Sequence, residues 1–154
     1  MKLTAFTDYS LRVLIYLAAQ PERRATISEI AASFAVSEHH LTKVVHFLGK
    51  AGWLANVRGK GGGLALAKPP EAINVGDVVR QTEAGAFVEC FGEGSECRIT
   101  GICRLQGVLG EAVAAFHAVL HRYTLADLVH NREALSTVFL ASRIGTSQPE
   151  WRAP

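Results

Sequence analysis

The chain has no apolar run of the ~18–20 residues that a membrane span needs. Its best candidate, residues 11–19, is too short and is interrupted by Arg12. The basic-then-apolar order of a secretory leader is missing as well. Together these absences set a cytoplasmic protein without membrane contact as the expectation. Cysteine is scarce and odd in number: Cys90, Cys97 and Cys103 are the only three. An odd count in a chain without a leader excludes a disulfide framework. No closely spaced cysteine pair marks a zinc knuckle. Paired carboxylates in a plausible site and a nucleophile–base arrangement are both lacking, so an enzyme is not expected. There is no internal repeat. Excess charge is small too, a net +2.

That average hides an asymmetry. Residues 1–68 carry nine basic and four acidic side chains, and residues 69–154 carry seven basic and ten acidic. The first part is therefore +5 and the second −3. A basic half joined to an acidic half suits a polyanionic partner for the first alone.

Within the basic half, Phe6, Val13, Leu14, Leu17 and Ala18 recur near the helical period and predict a helix over 7–20. The Pro21-Glu-Arg-Arg24 stretch ends it. Thr26 or Ser28 can cap a short helix reaching Phe34, and Ser37 can cap a third helix over 37–51 with Glu38 in its first turn. There Leu41, Val45 and Leu48 form a buried stripe, which leaves His39, His40, Thr42, Lys43, His46 and Lys50 facing out. Two helices joined by a tight turn, the second with a polar and basic outer face, is the helix-turn-helix pattern. Apolar runs at 53–57 and 64–67 then flank Arg58-Gly-Lys-Gly-Gly-Gly63, which reads as a β-hairpin wing with a basic tip. Glycines there let the backbone approach phosphates. A nucleotide loop is disfavoured, since no Gly-Lys-Ser/Thr ending and no long helix follow. Ser28, Ser37, His39, His40, Thr42, Lys43, His46, Arg58, Lys60 and Gly61 are the candidate DNA contacts.

Pro69-Pro70 marks a boundary, followed by a short helix over 75–83 and a glycine-bearing loop over 85–101. The strongest periodicity follows. Leu105, Val108, Leu109, Ala112, Val113, Phe116, Val119, Leu120 and Tyr123 form one apolar face of a long helix, whose natural partner is its own copy. Thr124 opens a last short helix, and 146–154 read as a disordered end. The expected fold is mostly α with a small β-hairpin wing. It divides into a winged helix-turn-helix domain (1–68), a connecting helix and cysteine loop (69–103), a dimerisation helix with a short helix (104–130) and a partly disordered tail (131–154).

The three cysteines lie on a loop, which can wrap a metal group where a rigid helix cannot. Thiolates suit zinc or iron–sulfur clusters, and the long gaps, six and five residues, fit a cluster better. Ordinary buried cysteines and a reversible thiol switch are the competing readings. Three thiolates are one short of the usual four ligands. His117 and His121, four apart on the long helix, have chelating spacing but no third ligand, so solvated or interface histidines are the simpler reading.

Residues 1–130 resemble the Rrf-type winged-helix regulators, a bacterial family of iron–sulfur transcription regulators. The resemblance is carried by Met-Lys-Leu-Thr-x-Phe-Thr-Asp-Tyr-x-Leu-Arg-Val-Leu-x-Tyr-Leu-Ala over 1–18, by Ile27-Ser-Glu-Ile-Ala31, and by Leu41-Thr-Lys-Val44 with Leu48. To these add Arg58-Gly-x-Gly-Gly-Gly-x-x-Leu-Ala67, Ile73 and the cysteine triplet. Gln106 stands where the cluster-assembly branch has a histidine ligand, so the chain resembles the nitric-oxide-sensing branch. That resemblance implies a homodimeric repressor of nitrosative-stress genes on palindromic double-stranded DNA, with nitric oxide as the signal. It implies a [4Fe-4S] cluster on Cys90, Cys97 and Cys103 completed by the partner subunit's Asp8, and [2Fe-2S] as the form left by oxygen exposure. The first cysteine gap is one residue longer than the family spacing. Thr42 and Lys43 match base-reading positions, and Arg58 a minor-groove or phosphate contact. Asp8 also has local roles open to it, capping the first helix or pairing with Arg12.

Overall fold

A computed structural model of the chain describes residues 3–83, 85, 88, 91, 96–99 and 102–144. Helix α1 (Ala5–Ala19) starts where the Thr4 hydroxyl accepts a hydrogen bond from the Thr7 amide at 3.2 Å. The cap is thus Thr4 and not Asp8. Val13, Leu14, Tyr16 and Leu17 of α1 form the centre of the core. Helix α2 (Ile27–Phe34) opens on a full capping box, Thr26 with Glu29, so Ser28 is left exposed. It ends on Ala35 in the left-handed region, φ 52°, whose amide bonds back to the last turn. This residue makes the tight turn into α3 (Glu38–Lys50). Leu41, Val44, Val45 and Leu48 of α3 are buried, so its apolar stripe is one residue wider than the sequence spacing marks.

Strands β1 (Leu54–Val57) and β2 (Gly63–Leu66) pair antiparallel, Leu54 opposite Leu66 and Val57 opposite Gly63. Ala25 adds a one-residue third rung, its amide and carbonyl bonded to Leu64 at 3.1 and 2.7 Å. Gly62 is required at the turn: a Cβ there would collide with the Val57 carbonyl and lie 2.8 Å from the Gly59 carbonyl. Gly62→Ala is therefore expected to reshape the wing. If the wing contacts DNA as its sequence pattern leads one to expect, DNA affinity should fall about tenfold, about 1.4 kcal/mol, while the circular dichroism of the helices is unchanged. A gel shift and a melt on the same sample check this.

A single 3-10 turn (Pro70–Ala72) leads to α4 (Val75–Thr82), capped by the Asn74 side chain. Helix α5 (Arg104–Leu120) packs on α4. The contact is close because residue 76 is glycine: a Cβ there would sit 2.8 Å from the His121 ring. The ends are pinned by Val75 N–H to Tyr123 O, 3.0 Å, and Leu125 N–H to Ile73 O, 2.8 Å. The predicted single apolar face of α5 divides in two. Leu109, Val113, Phe116 and Leu120 are half-buried, whereas Leu105, Val108, Ala112, Val119 and Tyr123 are exposed.

Helix α6 (Leu125–Leu128) begins on the predicted Thr124, in a capping box with Asp127. It is not the last helix. Helix α7 (Arg132–Ile144) occupies part of the region read as tail. It is held because Phe139 is buried against Tyr16 and Phe34, ring centroids 4.8 and 5.4 Å away, and because Ser136 donates to the Ala19 carbonyl at 3.0 Å. The remaining tail, 145–154, lies outside the described residues. Among those that are described, no helix is long and apolar enough to cross a membrane.

Candidate nucleic-acid interface and cysteine loop

Ser37, His39, His40, Thr42, Lys43 and His46 are all exposed, as are Ser28 on α2 and Arg58, Lys60 and Gly61 in the wing. Ser37 stands at the N-cap of α3, but its side chain makes no capping bond, so the hydroxyl remains available. Thr42 donates its hydroxyl proton to the Glu38 carbonyl at 2.8 Å. What it offers outward in that state is a methyl group and acceptor lone pairs. A groove of about 440 Å³ separates α3 from the hairpin, lined by Thr42, His46 and Lys50 on one side and Asn56 of β1 on the other. Asn56 is absent from the sequence prediction. So is Arg24, whose guanidinium donates to the Gly61 carbonyl at 3.0 Å and props the wing tip. Neither bears a local motif; each acquires its place only when the wing folds back.

The recognition helix also touches α1. Tyr9 stacks on His40 at 6.3 Å between centroids, and Phe6 meets Phe47 edge-on at 5.3 Å. Between the helices Ala5, Phe6, Tyr9, His40, Lys43 and Val44 line an open cleft of about 170 Å³.

Of the candidate metal ligands, Cys97 is exposed, and Cys103 is half-buried at the N-cap of α5 with no capping bond from its sulfur. Cys90 lies outside the described residues. Among those described, no three His, Cys, Asp or Glu side chains converge. Asp8 pairs with Arg12 at 2.9 Å, both side chains roughly half exposed, and Arg12 in turn lies 5.6 Å over the Phe34 ring. Asp8 also lines an open depression with Leu3, Thr4, Ala5 and Tyr9, about 540 Å³. Among the described residues, Asp8 is not brought together with Cys97 and Cys103 of its own chain. His121 is engaged elsewhere: its Nε2 is 2.5 Å from the Arg80 guanidinium and its Nδ1 3.8 Å from Asp77. Because arginine can only donate, Nε2 accepts, and the ring braces α4 against α5.

Glu83 is a third residue that no motif marks. One of its carboxylate oxygens accepts from the Thr4 amide at 2.7 Å and from the Thr4 hydroxyl at 3.0 Å. Burial works against its charge, but hydrogen bonds from Thr7 and Thr4 outweigh this and hold the carboxyl below its ordinary value. The unfolded chain therefore takes up the proton first as pH falls. The stability Glu83 contributes is full above about pH 4.5 and is lost as pH drops through the lower folded value. Wild type should melt above Glu83→Ala at neutral pH. The gap should narrow as pH falls below about 4.5, as scanning calorimetry across that range can test.

With this geometry in place, comparison with known proteins is specific. Residues 3–131 match the Rrf2 family, described as iron-dependent transcriptional regulators. The chain is 49% identical over 146 residues to the HTH-type transcriptional regulator NsrR of Geobacillus kaustophilus, covering 93% of this chain and 99% of that protein. It is 50% identical over 136 residues to NsrR of Bacillus subtilis, covering 86% and 93%. Among solved structures, oxidised Staphylococcus aureus CymR superposes with a TM-score of 0.68 at 28% identity, covering 84% of this chain and 97% of that one. The T. potens IscR does so with a TM-score of 0.68 at 26% identity, covering 97% and 94%. These relatives are regulators and not enzymes, and their shared fold is the winged helix described above. The chain belongs to the Rrf2 family of transcriptional regulators.

Proposed function

We propose that this chain is a cytoplasmic, homodimeric repressor that senses nitric oxide through an iron–sulfur cluster and controls nitrosative-stress genes. The observation that carries this reading is the near-50% identity to NsrR regulators over almost the whole chain. The donor set fits the group. Cys97 and Cys103 are accessible, and Cys103 sits at the positive end of the α5 dipole, which favours the negative charge of a thiolate-held cluster. Cys90, Cys97 and Cys103 would hold a [4Fe-4S] cluster, with Asp8 of the partner subunit as the fourth ligand and [2Fe-2S] as its oxygen-damaged form. When bound, the cluster supplies iron that reacts with nitric oxide. The exposed stripe of α5 is the surface through which the two copies meet.

In the DNA-bound state α3 enters the major groove. Thr42 and Lys43 read bases, with Ser37, His39, His40 and His46 beside them, and Ser28, Arg58, Lys60 and Gly61 contact the backbone. A dimer spaces the two α3 helices about one turn, ~34 Å, apart on a palindrome. Asp8 is the most replaceable of the proposed ligands, since an oxygen donor holds soft iron less firmly than a thiolate. Arg12, 2.9 Å away, is ready to hold it when it is released. Asp8→Ala is expected to change the rate at which nitric oxide bleaches the protein and to leave operator binding partly intact. A wild-type response to nitric oxide in that variant excludes the cross-subunit ligand.

The likeness to oxidised CymR favours one second reading, a thiol- or zinc-based redox regulator of the same fold. Iron content separates the two: it is stoichiometric in the first and nil in the second.

A further inference from the structure

We infer that Glu83 is the positioning residue that links the cysteine loop to the DNA-reading helix within one subunit, an inference that deepens the sensor reading and rests on it. Glu83 caps the C-terminus of α4 and is the last residue before the loop that carries the cysteines. Its carboxylate reaches back 79 positions in sequence to the first turn of α1. There a single oxygen takes both the amide and the hydroxyl protons of Thr4. The Thr4 hydroxyl is in turn 3.0 Å from that of Thr7 and accepts the Thr7 amide. A charged acceptor at a helix N-terminus is held by both the orphan donors and the dipole.

The turn that Glu83 grips carries three other connections. Asp8 lies on it and pairs with Arg12 one turn further along α1. Phe6 packs on Phe47, and Tyr9 stacks on His40 of α3. A pull on the root of the cysteine loop is therefore delivered through Glu83 to the start of α1, and through Tyr9 to the exposed face of the recognition helix. Tyr9 and His40 meet beside an open surface cleft of about 170 Å³, so a shift of α1 against α3 there displaces water and does not have to repack a core. Among the described residues, Glu83 joins the end of α4 directly to the first turn of α1.

The test uses the full-length dimer with Glu83→Ala and Glu83→Gln. The amide of glutamine keeps one acceptor oxygen and can preserve both Thr4 bonds, whereas alanine removes them. In metal-free protein, NMR of the Tyr9 and His40 rings is expected to differ from wild type in Glu83→Ala and to match it in Glu83→Gln. Shifts confined to the first turn of α1 and the end of α4, with Tyr9 and His40 unmoved, would overturn the link and leave Glu83 a local cap. In reconstituted protein, the cluster-dependent change in operator affinity is expected to shrink about fivefold in Glu83→Ala, with iron content unchanged. A full wild-type switch in that variant overturns the link as well. If wild type itself takes up no iron, the sensor reading fails, and the ring resonances still decide whether Glu83 connects the two regions.

Discussion

Val108→Asp is expected to split the dimer and to lower operator affinity more than a hundredfold, about 3 kcal/mol. None of the α5 residues is buried in the single chain. Along one side Ile102, Leu105, Val108 and Val119 are 84, 60, 61 and 44% exposed. With the exposed Ala112 and Ala115 between them, they recur at spacings of three or four. Such a seam on a helix is stable in water only against a complementary seam. A two-fold interface meets itself, so one substitution places a carboxylate in each copy of the contact. Burying an unpaired charge costs several kcal/mol, far more than a valine contributes. The α5–α4 packing uses the other face, so the subunit should remain folded. Sedimentation velocity would show a monomer with a native melt, and a gel shift would show the lost affinity. A variant that stays dimeric would move the interface off α5.

Phe139→Ala is expected to destabilise the subunit by about 3–4 kcal/mol, the scale for deleting a buried phenylalanine. The melting point should fall by roughly 10 °C for a chain of this size. Phe139 is 4% exposed and closes an aromatic cluster with Tyr16 and Phe34 over the back of α1. Its truncation leaves a cavity beside Tyr16, itself fully buried, and unseats α7. Neighbours Val138 and Leu140 are 46 and 48% exposed, so Val138→Ala should change stability by less than about 0.5 kcal/mol. Chemical denaturation of both variants measures the contrast. Equal, small effects would mean that α7 contributes little and that the core ends at α6.

The helix-turn-helix and the wing were legible because their signals are local. Capping residues, the stripe of Leu41, Val45 and Leu48, and the glycine turn each lie within a few positions of what they control. Helix α7 was not legible. Its inward positions reduce to Leu135, Ser136 and Phe139, two turns of contact set among polar residues, and the exposed Val138 and Leu140 blur the period. Periodicity places the long helix correctly, but its apolar residues divide between two faces. Which of them meet α4 and which stand free depends on the close approach at Gly76, a tertiary fact. The same holds for the missed site residues. Arg24 reaches across 37 positions to Gly61, Asn56 faces His46 over a groove, and Glu83 acts on a turn at the other end of the sequence. Cysteine spacing suggested a metal group but not its fourth ligand, because that ligand is proposed to come from a second chain. Asp8 shows its local role, the ion pair with Arg12, in the single subunit.

Coupling of nitric oxide to DNA release by a cluster on this chain is tested by an anaerobic visible spectrum of the reconstituted dimer, titrated with nitric oxide while operator binding is followed by gel shift. The expected result is a broad iron–sulfur absorption that bleaches in step with release of the DNA, and loss of both in Cys103→Ser. A colourless, iron-free protein that holds its operator whether or not nitric oxide is present would contradict it.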